Sequence, residues 1–600
     1  MKNIIINRVI VSFGVTLALT ALTSCENIFE PLDDNHSTFE RVLQDPAFAE
    51  GLLTTGYSRL PTNSYSYNEA ATDDAVSNDK LNVYLRMATG EWSSTFNPVG
   101  QWSNCLLGIQ SVNHFLTIVD GINWRESIPA FNILYIKRLK GEAFGLRAML
   151  KFYLLQSVAG ETQSGEMAGI PLLDSYLQSN ADFNIPRASF AESVENIYSD
   201  IEKSLNYLTM DDYGNVSSAA ELPPGYGKEV VGIDPATGQA AYGNYNIVFG
   251  NESTQRISGR IVKTLRAKLA LLAASPAYGN SQDLWEEAAV YAGGLVQSAG
   301  GVSGLDPEGH LFYTKAYTDR LNLAARKDRA EIIWRSPKTF SYELEQANFP
   351  PTLFGNGGIN PSQNLVDAFP MLNGYPTHLP QSGYNGSNPY AGRDPRLSAY
   401  IIFNNSFFQG ATIITGQGGK ENAKDSIKTS TRTGYYLKKL LMEEVNLNPN
   451  GISSQEHYMM RLRYTDVFLM YAEAANEAWG PDGDQTGFGF TARDVVRAIR
   501  ERAGISQPDA YLESIGDMRA MRALIHNERR IELCFEGHRF WDLRRWKEKI
   551  DEPVKGVDIN ASGYNYADVE QRAYRDFMYY GPVPQQEILK YNSLVQNKGW

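Results

Sequence analysis

Apolar positions recur with helical spacing along much of this chain. The clearest case follows Ser189, which together with Glu192 has the spacing of a capping box. Behind it, one helical face is formed by Phe190, Val194, Ile197, Ile201, Leu205 and Leu208. This pattern predicts an amphipathic helix. The preceding stretch RLKGEAFGLRAMLKFYLLQSVAG is apolar on most sides, which predicts a buried helix beside it.

Two further pairs of helical segments follow the same arrangement. The first is GRIVKTLRAKLALLAAS with DLWEEAAVYAGGLVQSAG, and the second is YTDVFLMYAEAANEAWG with TARDVVRAIRERAG. The first segment of each pair is rich in small residues, which allow helices to approach closely. Recurring helix pairs indicate tetratricopeptide-like stacking, here over about residues 103–300 and 457–548.

Long insertions interrupt this repeat. Residues 209–258 and 302–456 are rich in Gly, Asn, Pro and Tyr, with short β-like runs such as AEIIWRS and SAYIIFNNS. Loops of this length are usually functional or disordered, and their aromatic content argues against disorder. We therefore predict a mostly α fold, in which a helix-pair scaffold carries long loop-rich insertions and a few short β-strands.

The amino-terminal segment has the form of a secretory signal. Lys2 and Arg8 precede an uncharged apolar run, Val9 to Ala21, that is too short to span a membrane. Leu22-Thr23-Ser24-Cys25 then resembles a bacterial lipobox, which implies cleavage before Cys25 and its lipidation. The alternative is an ordinary signal peptide with an incidental cysteine. We expect a signal peptide at 1–24, a lipidated tether at 25–38 and a single body at 39–600.

Composition excludes several classes of function. The formal net charge is −13, and removing residues 1–24 makes it about −15, so nucleic acid is an unsuitable partner. The chain has no HExxH or CxxC spacing, no GxxxxGK[ST], no GxSxG and no GxGxxG. We therefore predict no zinc site, no nucleotide site and no serine nucleophile, and we assign no metal ligand and no cofactor, while bound calcium stays open. Cys105 and Cys534 could pair in an oxidising compartment, but we expect two buried thiols.

The stretch NERRIELCFEGHRFWDLRRWKE, from Asn527 to Glu548, alternates rings and aliphatic residues with charges of both signs. Opposite charges stand three apart in three pairs: Arg529 with Glu532, Glu536 with Arg539, and Asp542 with Arg545. Glu536 and Asp542 could be a catalytic acid/base pair. We favour a partly buried ion network, because an arginine within reach of each carboxylate would hold it ionised.

This stretch closely resembles the signature of the SusD/RagB family of Bacteroidetes outer-membrane lipoproteins. The resemblance extends along nearly the whole mature chain, in order: EAFGLRAMLKFYLLQSVAG with GIPLL, IPRASFAESVENIYSDIEKSLNYL, GRIVKTLRAKLALLAAS, PSQNLVDAFPMLNGYP, GRDPRLSAYI, RYTDVFLMYAEAANEA and GPVPQQEILKYNSLVQNKGW. The departures are minor: Thr465 stands where the family usually has Ala, and Lys598 where it usually has Pro.

The resemblance implies both architecture and function. Family members have a tetratricopeptide-like helical scaffold with a loop-rich ligand face. They lie on the cell surface over a SusC-like TonB-dependent transporter, to which they deliver glycans without cleaving them, and most use no cofactor. The acidic tether after Cys25 (Glu26, Glu30, Asp33 and Asp34) resembles the surface-export signal of such lipoproteins.

The early segment ATDDAVSNDKLNVYLRMATGEWSSTFNPVGQW is expected to contribute to the ligand site, as it does in the family. A glycan site needs flat rings and short polar groups. We expect Trp92 and Phe96 to stack on sugar rings and Asp74, Arg86 and Asn97 to bind hydroxyls. Phe354 and Tyr384 are loop aromatics that could complete the platform. Trp102 precedes an amphipathic helix and is expected in the core.

Two other functions stay open at this stage. A secreted glycoside hydrolase needs two carboxylates about 5–10 Å apart, which 68 acidic residues could supply, although no motif isolates such a pair. A helical-repeat scaffold that binds protein or peptide cargo is the other alternative.

Overall fold

A computed structural model describes residues 44–124, 129–226, 242–321, 328, 330–422 and 427–600. The signal peptide, Cys25 and the tether expected from the sequence lie outside the described residues. The division of residues 39–600 into one body with two insertions stays a prediction.

Eighteen α-helices occur in the described part of the chain, most of the long ones before residue 300 and after residue 463. They are α1 Pro46–Ser58, α2 Val83–Arg86, α3 Trp102–Ile118, α4 Pro129–Val158, α5 Phe190–Tyr207, α6 Tyr242–Phe249, α7 Gly259–Ala274, α8 Gln282–Ser298, α9 Lys315–Thr318, α10 Glu343–Asn348, α11 Gln363–Ala368, α12 Pro395–Tyr400, α13 Tyr464–Trp479, α14 Ala492–Arg502, α15 Ala510–Ser514, α16 Met518–Glu532, α17 Arg539–Arg545 and α18 Gln585–Lys590.

The described strands are short and pair antiparallel. They are β1 Ala75–Ser77, β2 Gly160–Glu161, β3 Met167–Pro171, β4 Arg187–Ser189, β5 Ile332–Arg335, β6 Thr339–Ser341, β7 Ile359–Pro361, β8 Ile401–Ile402, β9 Ser406–Phe408, β10 Ala411–Ile413, β11 Tyr436–Leu437, β12 Gln455–His457, β13 Met460–Arg463, β14 Val554–Asn560 and β15 Gly563–Glu570. Most form two-stranded ribbons, of which the β14–β15 hairpin is the longest.

The long helices pack side by side. Helix α3 packs on both α1 and α4, α4 packs on α5, and α7 packs on α8. Helix α13 joins the two halves, because it packs on α8, α14 and α16. The predicted mostly α fold with helix pairs and few short strands is confirmed.

The local signals explain these helices. At the start of α5, Ser189 and Glu192 form both hydrogen bonds of the predicted capping box. In α7, 12 of 16 residues are buried, and in α13, 14 of 16, because other helices cover more than one face. Among the described residues, no helix has both the length and the apolarity needed to cross a bilayer.

Three hydrophobic cores support the body. The largest lies among the helices and contains Trp102, which is 5% exposed as the sequence predicted. The second lies beneath the loop-rich part of the chain and contains Phe349, Phe369 and Tyr400. This insertion is therefore packed around a hydrophobic core that it shares with residues from outside it, such as Ala75 and Phe535. Cys105 is in the first core and Cys534 in the second, and both are free thiols, as expected.

The charged signature forms a buried ion network, as predicted, but with different partners. Of the three expected pairs, Asp542 and Arg545 are bonded at 2.8 Å. Arg529 instead reaches Asp466 and Asp542, each at 3.2 Å. Three arginines converge on the buried Glu532: Arg396, Arg463 and Arg502. The pairing is set by helices packing across the core, which sequence spacing does not encode.

Candidate functional site

The early segment does not present its tryptophan to solvent. Trp92 is 4% exposed, and its ring makes edge contacts with Tyr574 at 5.9 Å and Trp600 at 4.9 Å between centroids. Its indole Nε1 donates a hydrogen bond to Asn97 Oδ1 at 3.0 Å. The expectation that Trp92 stacks on a sugar is therefore corrected: its faces are covered by protein. Asn97 uses its carbonyl oxygen to hold that ring.

Asp74 is also withdrawn from the surface. It is fully buried, and its carboxylate forms ion pairs with Arg530 at 2.5 Å and Arg539 at 3.8 Å. Both arginines belong to the charged signature near the end of the chain. The expectation that Asp74 binds sugar hydroxyls is corrected, because its carboxylate already joins the early segment to this late one.

Arg86 and Phe96 remain partly exposed and contact each other. The Arg86 guanidinium carbon lies 4.7 Å from the centre of the Phe96 ring, and the same guanidinium pairs with Glu91 at 2.5 Å. One face of Phe96 is thus covered by a cation. The five residues expected in the early segment therefore do not form an open aromatic platform.

Phe354 is exposed and held in a rare backbone conformation. Its side chain is 54% exposed, and its φ of 65° lies in the left-handed region that bulky residues avoid. The loop is fixed from both sides: Asn78 Nδ2 donates to Asn356 O at 2.9 Å, and Lys420 Nζ donates to Pro351 O at 3.0 Å. Strained residues of this kind cluster at ligand sites.

Tyr384 belongs to a group of rings that we call the tyrosine patch: Tyr384, Tyr390, Tyr564 and Tyr566. Tyr564 and Tyr566 stand two apart on β15, so they face the same side of the hairpin. The ring centres of Tyr390 and Tyr564 are 5.8 Å apart, and the Tyr566 side chain is 46% exposed. Burial and the neighbouring Tyr384 hydroxyl raise the pKa of Tyr566, so it is a neutral hydrogen-bonding phenol at physiological pH.

Hydrogen bonds hold a carboxylate beside these rings. The Tyr390 and Tyr435 hydroxyls are 3.2 Å apart, and Tyr435 donates in turn to Gln363 Oε1. Gln363 Nε2 then donates to Asp367 Oδ1 at 2.7 Å. Part of the Asp367 side chain is exposed to solvent. Protein packed around its carboxyl removes some of the water and raises the pKa, while the hydrogen bond from Gln363 and the charge of Arg393 lower it.

Two cations, Arg393 and Lys555, lie near the tyrosine patch. The Arg393 guanidinium carbon lies 5.6 Å from the Tyr384 ring centre, and its nitrogens donate to the carbonyl oxygens of Pro389, Val366 and Phe369. Arg393 is buried, so its role is to fix the loop that carries Tyr384. The charge of Lys555, on β14, acts on Asp367 from the hairpin side.

The β14–β15 hairpin connects this patch to the Phe354 loop. At its open end, Glu570 accepts a hydrogen bond from Arg432 at 2.8 Å, and Arg432 also donates to Ser77 O beside the Phe354 loop. Tyr566 is four residues away along β15, a distance of about 14 Å for an extended strand. The hairpin therefore runs from the tyrosine patch to the segment beside the Phe354 loop.

Sequence reasoning missed the hairpin. Its signal was present, because VKGVDIN and GYNYADVE alternate apolar and polar residues around the turn residues Ala561 and Ser562. Tyr564 and Tyr566 are the functional candidates that this pattern would have identified. Asp367 lies in PSQNLVDAFP, and no feature of that sequence predicts that its side chain is exposed.

Comparisons with known proteins agree on one family. A model described as SusD family matches residues 330–600, and one described as "Starch-binding associating with outer membrane" matches residues 41–220. SusD-like protein P25 of Formosa agariphila is 27% identical over 250 residues, which is 37% of this chain and 41% of that relative. SusD-like protein P38 of the same organism is 30% identical over 122 residues, 19% of this chain and 22% of that protein. The alignments thus span less than half the length of these relatives.

Solved structures share the fold over nearly the whole chain. A SusD-like protein from Bacteroides fragilis superposes with a TM-score of 0.68 at 23% identity, over 95% of this chain and 100% of that one. A SusD-like carbohydrate binding protein from the same species has a TM-score of 0.67 at 19% identity, over 92% and 99%. A laminarin binding SusD-like protein has a TM-score of 0.55 at 18% identity, over 93% and 100%.

Proposed function

Because this chain belongs to the SusD/RagB family, we propose that it is a non-catalytic glycan-binding lipoprotein of the outer membrane. It is anchored through Cys25 at the cell surface, captures oligo- or polysaccharide, and passes it to a SusC-like TonB-dependent transporter. The family description that associates starch binding with the outer membrane supports both the ligand class and the location.

The observation that carries this proposal is the tyrosine patch. Sugars have apolar C–H faces, which pack on aromatic rings, and hydroxyls, which pair with carboxylates, amides and phenols. The patch offers both, with Tyr384 and Tyr566 as partly exposed rings and Asp367 as an oriented acceptor. Phe354, at the other end of the hairpin, gives a longer chain a second contact.

Retention in polysaccharide-containing gels tests the binding site. We expect the wild-type protein to be slowed by at least one of a panel of plant, fungal and host glycans. Tyr384→Ala and Tyr566→Ala should each weaken that retention, whereas Tyr176→Ala should not. Tyr176 is a matched control, because it is a 37% exposed ring outside the patch, stacked on His114. Equal retention of all four proteins would argue against the patch.

The two alternatives have separate readouts. Release of reducing ends from the retained glycan by purified protein would support the hydrolase. Retention of no glycan, with capture of a peptide by the patch, would support a cargo-binding scaffold. For delivery, Cys25→Ser should release the protein from membranes and abolish growth on the glycan, while binding by the purified body is unchanged.

A further inference from the structure

A cavity lies away from the tyrosine patch. It has a volume of about 440 Å³ and opens between the segment Leu60–Asn68, the end of α4 and the region before α13. Its walls include the rings of Tyr65, Tyr153 and Trp541. We call it the inner pocket, and none of its lining residues belongs to the tyrosine patch.

The floor of the inner pocket carries compensated charge. Asp466 pairs with Lys268 at 2.8 Å and with Arg529 at 3.2 Å. Asp542, beside them, pairs with Arg529 and Arg545. His538 also lines the floor, and burial lowers its pKa to about 4, so the imidazole is neutral at physiological pH. The floor therefore offers no unpaired ion to a ligand.

The mouth of the inner pocket differs from its floor, because the cation there, Arg461, is not paired with a carboxylate among the described residues. The Arg461 guanidinium lies over the Trp334 ring at 4.6 Å and donates to Asn63 Oδ1 at 2.7 Å. Within the described part of the chain, Arg461 forms no ion pair, and its Nε is buried without a hydrogen-bond partner. The other described cations that line the inner pocket, Lys268, Arg463, Arg529 and Arg545, all pair with carboxylates, so Arg461 stands apart from them.

Amide side chains without partners surround the same opening. Asn68 lines the pocket, is only 4% exposed, and its Oδ1 has no hydrogen bond among the described residues. Gln101 Oε1 is likewise buried and unpaired there. Asn104 and Gln156 line the rim, and the described structure gives their side chains no protein partner. Buried amides are normally bonded, so the free acceptors of Asn68 and Gln101 are suited to the hydroxyls of a ligand.

We propose that the inner pocket binds one acidic sugar unit, a hexuronate, separately from the glycan held at the tyrosine patch. Its carboxylate pairs with Arg461, its hydroxyls bond to the side-chain amides of Asn68, Gln101 and Gln156, and its ring packs against Tyr153 or Trp541. A uronate matches the lining better than a neutral hexose, because only the uronate supplies the anion that Arg461 lacks. Occupancy of the inner pocket would thereby depend on whether the captured polymer contains uronate units.

Calorimetric titration at fixed ionic strength tests this assignment with four probes: galacturonate, glucuronate, galactose and acetate. We expect at least one uronate to bind at least tenfold more tightly than galactose or acetate. Tight binding of acetate would show that the pocket recognises only a carboxylate. Binding of galactose as tightly as a uronate would show that Arg461 does not contribute to recognition. Either result, or binding of no probe, overturns the proposal.

Variants separate this site from the proposed glycan face. Arg461→Gln should weaken uronate binding at least tenfold, and Arg461→Lys, which keeps the charge, should lose less. Arg575→Gln is the matched control, because Arg575 is an exposed arginine at a different cavity. Tyr566→Ala should leave uronate binding intact even if it abolishes polymer retention. If Arg461→Gln fails to fold, Gln156→Leu at the rim provides the same test, and unchanged binding by that variant contradicts the proposal.

Discussion

Trp92 and Asn97 bind each other: the indole Nε1 donates to the amide Oδ1 at 3.0 Å, and the ring is 4% exposed. This pair closes the loop 92–97 over the third core, which also contains Phe540 and Tyr574. Trp92→Ala should therefore lower the free energy of unfolding by about 3–5 kcal/mol, the usual range for a buried large ring. Urea denaturation measures this loss. Glycan affinity of the protein that remains folded should be unchanged, and a selective loss of affinity would contradict the burial.

At the tyrosine patch we expect a loss of glycan affinity with little loss of stability. Tyr566→Ala should weaken glycan binding about tenfold, or about 1.4 kcal/mol, because one stacking ring is lost. Stability should change by no more than about 0.5 kcal/mol, since the side chain is 46% exposed. Titration calorimetry and urea unfolding give the two values. Tyr566→Phe should keep most of the affinity, so an equal loss in both variants would assign the binding to the hydroxyl.

Asp74 is predicted to act on stability alone. Asp74→Asn leaves Arg530 and Arg539 with less compensating charge in a buried site, so we expect a loss of about 3–5 kcal/mol. Asp568→Asn on the exposed side of β15 is the control, with an effect within about 0.5 kcal/mol. Similar thermal midpoints for the two variants would argue that the Asp74 ion pairs contribute little.

Phe354 offers a test of stored strain. Phe354→Asn should raise the free energy of unfolding by roughly 1 kcal/mol, because asparagine tolerates a positive φ. The same change should reduce the affinity for long glycans and spare short ones, which reach only the tyrosine patch. A loss of stability in this variant would show that the Phe354 ring packs against protein more than its 54% exposure indicates.

His457 should make stability depend on pH. Its Nε2 lies 2.9 Å from Glu345 Oε1 and its Nδ1 lies 3.0 Å from Gln455 O, so both ring nitrogens donate when the imidazole is protonated. Burial alone would lower the pKa of His457, but the hydrogen bond and charge of Glu345 outweigh it and raise the pKa.

Because the folded pKa is above the unfolded value of about 6.5, this stabilisation is complete below about pH 6.5. It is lost as the pH rises through the folded pKa. The difference in unfolding free energy between wild type and His457→Gln should therefore be larger at about pH 6 than at about pH 9. A difference that stays constant or grows with pH would contradict the ion pair.

The helical scaffold could be predicted from the sequence because its signals are local. The α5 capping box and the apolar faces of α7 and α13 depend on residues within a few turns of each other. The strands of the hairpin are equally local, yet they need a different periodicity from the one that dominates the chain. A search for helical spacing does not detect the alternating pattern of VKGVDIN and GYNYADVE.

The candidate site could be predicted only in part, because its exposure is decided by distant partners. Tyr384 and Phe354 are at the surface, but Asp74 is covered by Arg530, which is 456 residues later in the chain. Trp92 is covered by Tyr574 and Trp600 in the same way. Ring-rich and acidic loops look alike in sequence whether or not a later segment packs on them.

The contacts between early and late segments also have a kinetic consequence. Arg572 donates to Thr72 O, and the Tyr574 hydroxyl donates to Ala71 O, across 500 and 503 residues of chain. Ordering such a large loop has an entropic cost that must be met before these contacts form. The segment around Ala71 therefore stays without its native neighbours until synthesis is nearly finished.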